Sequence, residues 1–302
     1  MLAIIESPYQ LQNALSLFKH LNIDKSECVV FIRDNGNETQ RKQFDSHLDG
    51  LKPKFFYLPA RGITKIPLII YFYLRYILSL CTEKEMVFGD ARSIVCRLLI
   101  KVSKYLNRKV YFVDDGLYLI SYVNKLRSVP CFLYTSLPIV PFDGDVFSVI
   151  NNEIELFEYY EEKSSVSFIG QHLVELGFIN NEDYLKVLEN IKENFEPQYK
   201  QFNYYAHRSE SEVKLSKIKL LGYRVFRLNC SIEQYFYKGR ASKGVFISYY
   251  STALLNISSA HKNSDFYFCV DYLDVKDETV SDSIKLSYEV FNRAGIKELS
   301  LI

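Results

Sequence analysis

Val110-Tyr111-Phe112-Val113-Asp114-Asp115-Gly116 sets four apolar residues directly before two carboxylates and a glycine. The apolar run reads as a buried strand, bounded at once by a turn signal. Two adjacent carboxylates there are costly as mere structure, because both prefer to ionise and they repel each other. The glycine permits a tight turn, so backbone and side chains can approach a ligand. Side chains alternate along a strand, so only one of the two aspartates is expected to face that ligand.

Outward from this stretch the same grammar repeats. Upstream, strands are expected at Leu2–Glu6, Cys28–Ile32, Phe55–Leu58 and Met86–Phe88, with helices at Gln10–His20 and Ser93–Leu106. The first helix shows apolar spacing at Leu11, Ala14, Leu15 and Phe18. Residues 121–165, with Pro130, Pro138, Pro141 and the turn Asp143-Gly144-Asp145, read as irregular and as holding an interdomain connection near 150–165. A second alternation follows. Strands are expected at Val166–Ile169, Asn203–Tyr205, Tyr223–Leu228, Gly244–Ser248 and Phe266–Val270. Helices are expected at Asn181–Asn194, Ile232–Tyr237, Thr252–Ser259 and Ser281–Ala294.

Alternation of this kind argues for parallel sheets with helices on both faces. The expectation is therefore α/β. Two Rossmann-like, doubly wound domains, 1–155 and 156–302, would face a central cleft, with the last helix free to pack back on the first domain. Such sheets bind ligands beyond the carboxyl ends of their strands.

Composition narrows the classes. The 302 residues are 48% hydrophobic and 24% charged, with a net charge of +1. Real cores are within reach, and no strong pull toward nucleic acid is implied. The six cysteines form no CxxC pair and read as buried reduced thiols of a cytosolic protein. The N-terminus lacks a basic region and a cleavage site, so it does not read as a signal peptide. Ile66–Cys81 is apolar but shorter than the roughly 20 residues of a membrane span, and it carries Arg75. A half-buried helix is the first reading, and a contact with a membrane surface is the alternative.

Two further strand ends carry chemistry. His207-Arg208-Ser209-Glu210 follows a strand, and a histidine there can donate to a phosphate or act as an acid near neutral pH. Ser209 is a candidate cap for the next helix. Ser251-Thr252 opens a helix, whose free N–H groups and positive dipole end suit a phosphate. Each also has a structural reading: an Asp-Gly turn, a packed histidine, an ordinary N-cap. Phe168-Ile169-Gly170-Gln171 is a weaker candidate for contact with a nucleotide. No GxGxxG, P-loop, HExxH or GxSxG pattern occurs. Asp143-Gly144-Asp145 departs from a metal-binding DxD by its glycine and its proline-rich loop.

Asp114-Asp115-Gly116, His207-Arg208 and Ser251-Thr252 together resemble the bacterial sialyltransferases, and glycosyltransferase family 52 in particular. That group is marked by an acid-acid-glycine motif, a histidine usually followed by proline, and a Ser-Ser or Ser-Thr pair. Glu6-Ser7-Pro8-Tyr9-Gln10-Leu11 and Ser231-Ile232-Glu233-Gln234 add to the likeness, which runs from Glu6 to about Ser259. Arg208 stands where the proline is expected.

The resemblance implies a GT-B fold, a CMP-activated sialic acid donor, inversion, no required metal and a glycan acceptor, lipid-linked or not. It implies Asp115 as general base with Asp114 positioning it, and His207 donating to the departing CMP phosphate. Ser251 and Thr252 would hold that phosphate, with Arg208 as a further donor contact. Gly170, Gln171 and Glu233 are candidates for the nucleotide. A homodimer and a peripheral membrane contact stay open.

Overall fold

Short apolar runs seed the first sheet: β1 (Leu2–Ile5) is buried at every position, as a strand covered on both faces must be. The computed structural model describes the chain apart from residues 35–37, 49–53, 60–66, 68–69, 72–73, 75, 79–81, 83, 91–93, 117, 138, 140, 153–163, 238–243, 262 and 301–302. It divides into two units, Met1–Glu153 and Ile154–Ile302. The expected connection near 150–165 lies largely outside the described residues, as does much of 66–81.

In the first unit, β1 is followed by α1 (Pro8–His20), β2 (Val29–Asp34), α2 (Glu38–Leu48) and β3 (Lys54–Pro59). Next come β4 (Glu85–Phe88), α3 (Ile94–Tyr105), β5 (Lys109–Val113), α4 (Tyr118–Leu126), β6 (Cys131–Thr135) and β7 (Phe147–Asn151). The sheet order is β3-β2-β1-β4-β5-β6-β7, parallel throughout. The chain runs outward from β1 to β3 and then returns to β4. The switch point between β1 and β4 gathers Glu6-Ser7 and Gly89-Asp90 at one edge, with Asp114-Asp115 one strand further on. Ser7 caps α1 by accepting the Gln10 N–H, and Pro8 supplies the fixed φ of the first turn.

The second unit repeats the plan. It comprises β8 (Ser165–Ile169), α5 (Asn181–Phe195), β9 (Phe202–Tyr205), α6 (Glu212–Leu220), β10 (Arg224–Phe226) and α7 (Ile232–Tyr237). These are followed by β11 (Gly244–Ser248), α8 (Thr252–Ala260), β12 (Asp265–Phe268), α9 (Glu278–Arg293) and β13 (Lys297–Glu298). The order is β10-β9-β8-β11-β12-β13, again parallel. Its core is aromatic. Phe168 stacks on Tyr204 at 5.6 Å and meets Tyr184 and Tyr249 edge-on. On β12, Phe268 takes the rings of Tyr288 and Phe291 from α9.

Residues 121–165 differ from the sequence reading. They hold the end of α4 and the strands β6 and β7. Pro130 lies just before β6, where its missing N–H costs no ladder bond, so it delimits the strand instead of preventing it. Helix α2 escapes the periodicity because, among its described side chains, the buried ones are only Gln40, Phe44 and Leu48. Helix α6 escapes it because one of its buried residues is Lys214. Its cap is Ser211, whose hydroxyl accepts the Lys214 N–H, and not Ser209. Among the described cysteines, Cys28, Cys96, Cys131 and Cys269 are buried free thiols and Cys230 is half-buried.

Gly244 opens β11 against β8, and a Cβ there would come within 2.0 Å of the Ser165 carbonyl oxygen. Backbone cannot yield as a flexible side chain can. Gly244→Ala should therefore lower stability by about 1–3 kcal/mol in urea denaturation. Gly144→Ala, with open space around it, should cost less despite its positive φ.

Candidate functional site

The two aspartates that end β5 have different surroundings. Asp114 is fully buried. Its Oδ2 accepts the Thr135 hydroxyl at 2.8 Å, the Ser136 N–H at 3.1 Å and the Ser136 hydroxyl at 3.3 Å. Burial outweighs these donors and pushes its pKa up to about 6. Asn13 of α1 donates to its carbonyl. Asp114 thus ties the β5 turn to the end of β6.

Asp115 is half-buried, and its Oδ1 accepts Nε2 of Gln10 at 2.6 Å. Oε1 of Gln10 in turn accepts the Glu6 N–H at 2.7 Å. Gly89 makes room for this side chain, since a Cβ there would fall 2.0 Å from Oε1 of Gln10. The ends of β1, β4 and β5 are thereby joined through one glutamine. Beside them Glu6 accepts Arg33 through both carboxylate oxygens at 3.1 Å. Alternation has separated the aspartates as expected. Burial raises the pKa of Asp114, the aspartate expected only to position the base. The Asp143-Gly144-Asp145 turn is taken up by Arg127, which pairs with Asp145, and by the Phe142 N–H.

In the second unit, β9, β8 and β11 are neighbours, so their carboxyl ends bring His207-Arg208, Gly170-Gln171-His172 and Tyr249-Tyr250-Ser251 to one edge. The foundation is a buried ion pair. Glu210 and Lys214 lie 2.6 Å apart, with side chains 0% and 1% exposed. Glu210 also accepts the Tyr204 hydroxyl at 2.6 Å and the His207 N–H at 2.6 Å. Tyr204 has one proton and spends it on Glu210, so the 2.7 Å contact with Tyr184 is donated by Tyr184. Lys214 sits 3.7 Å from the Tyr184 ring centroid and donates to the Gln171 carbonyl. Gly170 is required by this packing, because a Cβ would come within 2.6 Å of both Glu210 and the Tyr204 hydroxyl.

His207 stands on this foundation. Its Nδ1 accepts the Ser209 N–H at 3.2 Å, which places the ring proton of the neutral form on Nε2. His172 stacks on it at 4.4 Å. Burial first, then Arg208, His172, Lys214 and Arg227, drives its pKa down to about 3. His207 is accordingly a neutral hydrogen-bond donor, not a protonated acid near neutral pH. Arg208 is close enough to bear on His207, His172 and Glu233.

Gln171 bridges β8 and β11: its Oε1 accepts the Tyr250 N–H at 3.0 Å. Ser251 occupies the N-cap position of α8 in extended backbone, and its hydroxyl does not cap the helix. Thr252 begins that helix and is half-buried. Glu233 is buried, its pKa raised by burial, with its carboxyl against the Asn256 amide. Sequence reasoning stopped one residue short of His172; its signal was position, directly after Gly170-Gln171. Lys214 gave no signal, since a lysine in a helix reads as solvated.

No protein-family model matches the chain, and no curated protein matches it either. Solved structures do. MurG of Acinetobacter baumannii is similar with a TM-score of 0.54 and 10% identity, over 99% of this chain and 85% of that one. An S. aureus MnaA–UDP co-structure gives 0.56 and 12%, over 97% and 88%. The Methanocaldococcus jannaschii UDP-GlcNAc 2-epimerase, in complex with UDP-GlcNAc and UDP, gives 0.53 and 13%, over 97% and 92%. The fold is GT-B, two Rossmann-like units in sequence.

A histidine whose folded pKa lies below its unfolded value binds protons more readily when unfolded. Its contribution to stability is therefore present above about pH 6.5 and is lost progressively as pH falls toward 3. The His207 ring resonances should not titrate between pH 8 and 5 by NMR. His207→Asn should flatten the loss of stability over that acidic range, and an unchanged pH slope in the variant would contradict the assignment.

Proposed function

We propose that this protein is an inverting glycosyltransferase that moves a nonulosonic acid, sialic acid first, from a CMP donor to a hydroxyl of a glycan acceptor. The observation that carries the reading is the fixed tautomer of His207. A neutral imidazole with its proton on Nε2 is a donor held ready at the edge of β9, among cationic neighbours. The motif resemblance, the GT-B fold and the uncapped Ser251 hydroxyl at the start of α8 support it.

The chemistry follows from charge. As the bond from the anomeric carbon to the phosphate oxygen breaks, its electron pair settles on the CMP phosphate, and the sugar takes on oxocarbenium character. Donors aimed at that phosphate stabilise the transition state more than the ground state. Nε2–H of His207, the Ser251 hydroxyl and the N–H groups opening α8 are donors of this kind, and Arg208 adds a permanent charge. An arriving phosphate also offsets the positive neighbours that depress the His207 pKa. The acceptor oxygen bonds to the anomeric carbon from the opposite face, and its proton passes to Asp115. The Gln10 amide orients that carboxylate. Asp114 touches no substrate in this reading; it anchors the turn.

A second reading has a specific observation behind it. Two of the similar structures contain UDP, so a UDP-sugar donor is the rival within the same class. Other CMP-activated acid sugars, such as pseudaminic, legionaminic or Kdo donors, are further variants of the first. A non-catalytic assembly protein on the same fold is the reading from another class.

A donor panel separates these. With acceptor present, CMP release from CMP-sialic acid should exceed UDP release from UDP-sugars. Asp115→Ala should abolish transfer and leave CMP affinity within about threefold. His207→Ala should lower kcat by roughly 10–1000-fold, the range for one lost transition-state donor. Normal transfer by Asp115→Ala would remove the base assignment, and failure of CMP to bind the wild type would remove the whole reading.

A further inference from the structure

Among the described residues, eight of fourteen exposed large hydrophobic side chains fall between positions 70 and 106 of the first unit. Five belong to helical residues at one spacing: Ile70, Tyr71, Leu74, Ile77 and Leu78. Positions i, i+1, i+4, i+7 and i+8 share one helix face. These side chains are all at least half exposed, with Leu78 at 65%. Tyr76 points the other way. It is fully buried, 6.2 Å from the Phe31 ring, and its hydroxyl lies beside Ser103 of α3. The helical residues around it are thus seated on the unit through their inner side, and the apolar row is the outer one.

Helix α3, on which Tyr76 rests, has the same division. Cys96, Leu99, Ile100 and Ser103 are buried, while Arg97, Leu98, Lys101 and Tyr105 are exposed. From Ile94 to Lys109 the sequence holds Arg97, Lys101, Lys104, Arg108 and Lys109 and no acidic residue. The same surface therefore offers an apolar row and a basic border. An exposed apolar row of this kind suits an interaction site. No helix of described residues is long and apolar enough to cross a membrane.

We propose that this face lies on a lipid surface containing anionic headgroups. The apolar row enters the boundary of the acyl region, and Arg97, Lys101 and Lys104 meet the headgroups. Tyr71 and Tyr105 suit the interface between the two, since their rings are apolar and their hydroxyls wet. Charge complementarity selects this occupant. Arg97, Lys101 and Lys104 are borne by a helix without an acidic residue, and such a border fits a uniformly negative surface better than a folded protein, whose interfaces mix charges and deplete lysine. The inference is independent of the donor and of the transfer reaction.

The test is sedimentation of the full chain with vesicles. Phosphatidylcholine vesicles carrying 30% phosphatidylglycerol, about the anionic content that gives a strong surface potential, should pull the protein down. Phosphatidylcholine alone should bind at least about tenfold less, and raising ionic strength from 0.05 to about 0.5 M should release it. Leu74→Glu with Leu78→Glu should abolish binding, and Arg97→Glu with Lys101→Glu should reduce it at least about tenfold. All four side chains are exposed, so circular dichroism melts should match the wild type. Equal binding to both vesicle types, or full binding by either double variant, would overturn the proposal. So would a wild-type dimer in sedimentation velocity that Leu74→Glu with Leu78→Glu dissociates, because a second copy would then cover the face.

Discussion

A carboxylate shut away from water is costly unless donors and a counter-charge meet it, and Glu210 is such a carboxylate. Lys214, the Tyr204 hydroxyl and the His207 N–H answer it. Removing one partner of a buried pair typically costs about 3–5 kcal/mol, so the cluster admits one arrangement. That arrangement sets the backbone of His207, turns its Nδ1 to the Ser209 N–H and leaves no room for a side chain at Gly170. The neutrality of His207 has the same origin. Burial depresses its pKa, and the Lys214 that neutralises Glu210 contributes positive charge in the same direction.

The first unit applies a related constraint with neutral groups. Asp114 is held by hydroxyls and N–H groups, without a cation, and its pKa rises. Its neighbour keeps partial access to solvent and accepts the Gln10 amide. Strand alternation thus separates two identical side chains into a buried anchor and a half-buried carboxylate. Gln10 can reach Asp115 because α1 begins at once after β1, through Ser7 and Pro8.

Much of this was legible in the sequence where chemistry and periodicity agreed. Short apolar strands followed by glycine, carboxylate or hydroxyl residues gave the alternation. What escaped had physical reasons. β6 and β7 were hidden by prolines that lie outside them, and α2 by a thin buried stripe at Gln40, Phe44 and Leu48. Lys214 was hidden because burial of a lysine depends on Glu210 and Tyr184, partners that sequence spacing alone does not reveal. The pKa of His207 was not legible either. It depends on Arg208, His172, Lys214 and Arg227, which four different segments contribute to one edge.

The central claim is that a neutral His207 offers its Nε2 proton to a nucleotide phosphate. Titrating CMP into protein labelled with 15N at histidine tests it most directly. The account predicts an Nε2-protonated neutral ring before addition and a saturable shift of the His207 Nε2 signal on binding. It also predicts that the His207 pKa rises in the complex as the phosphate offsets the surrounding cations. Saturable binding of CMP with no change at His207, or a free-state proton on Nδ1, would contradict it.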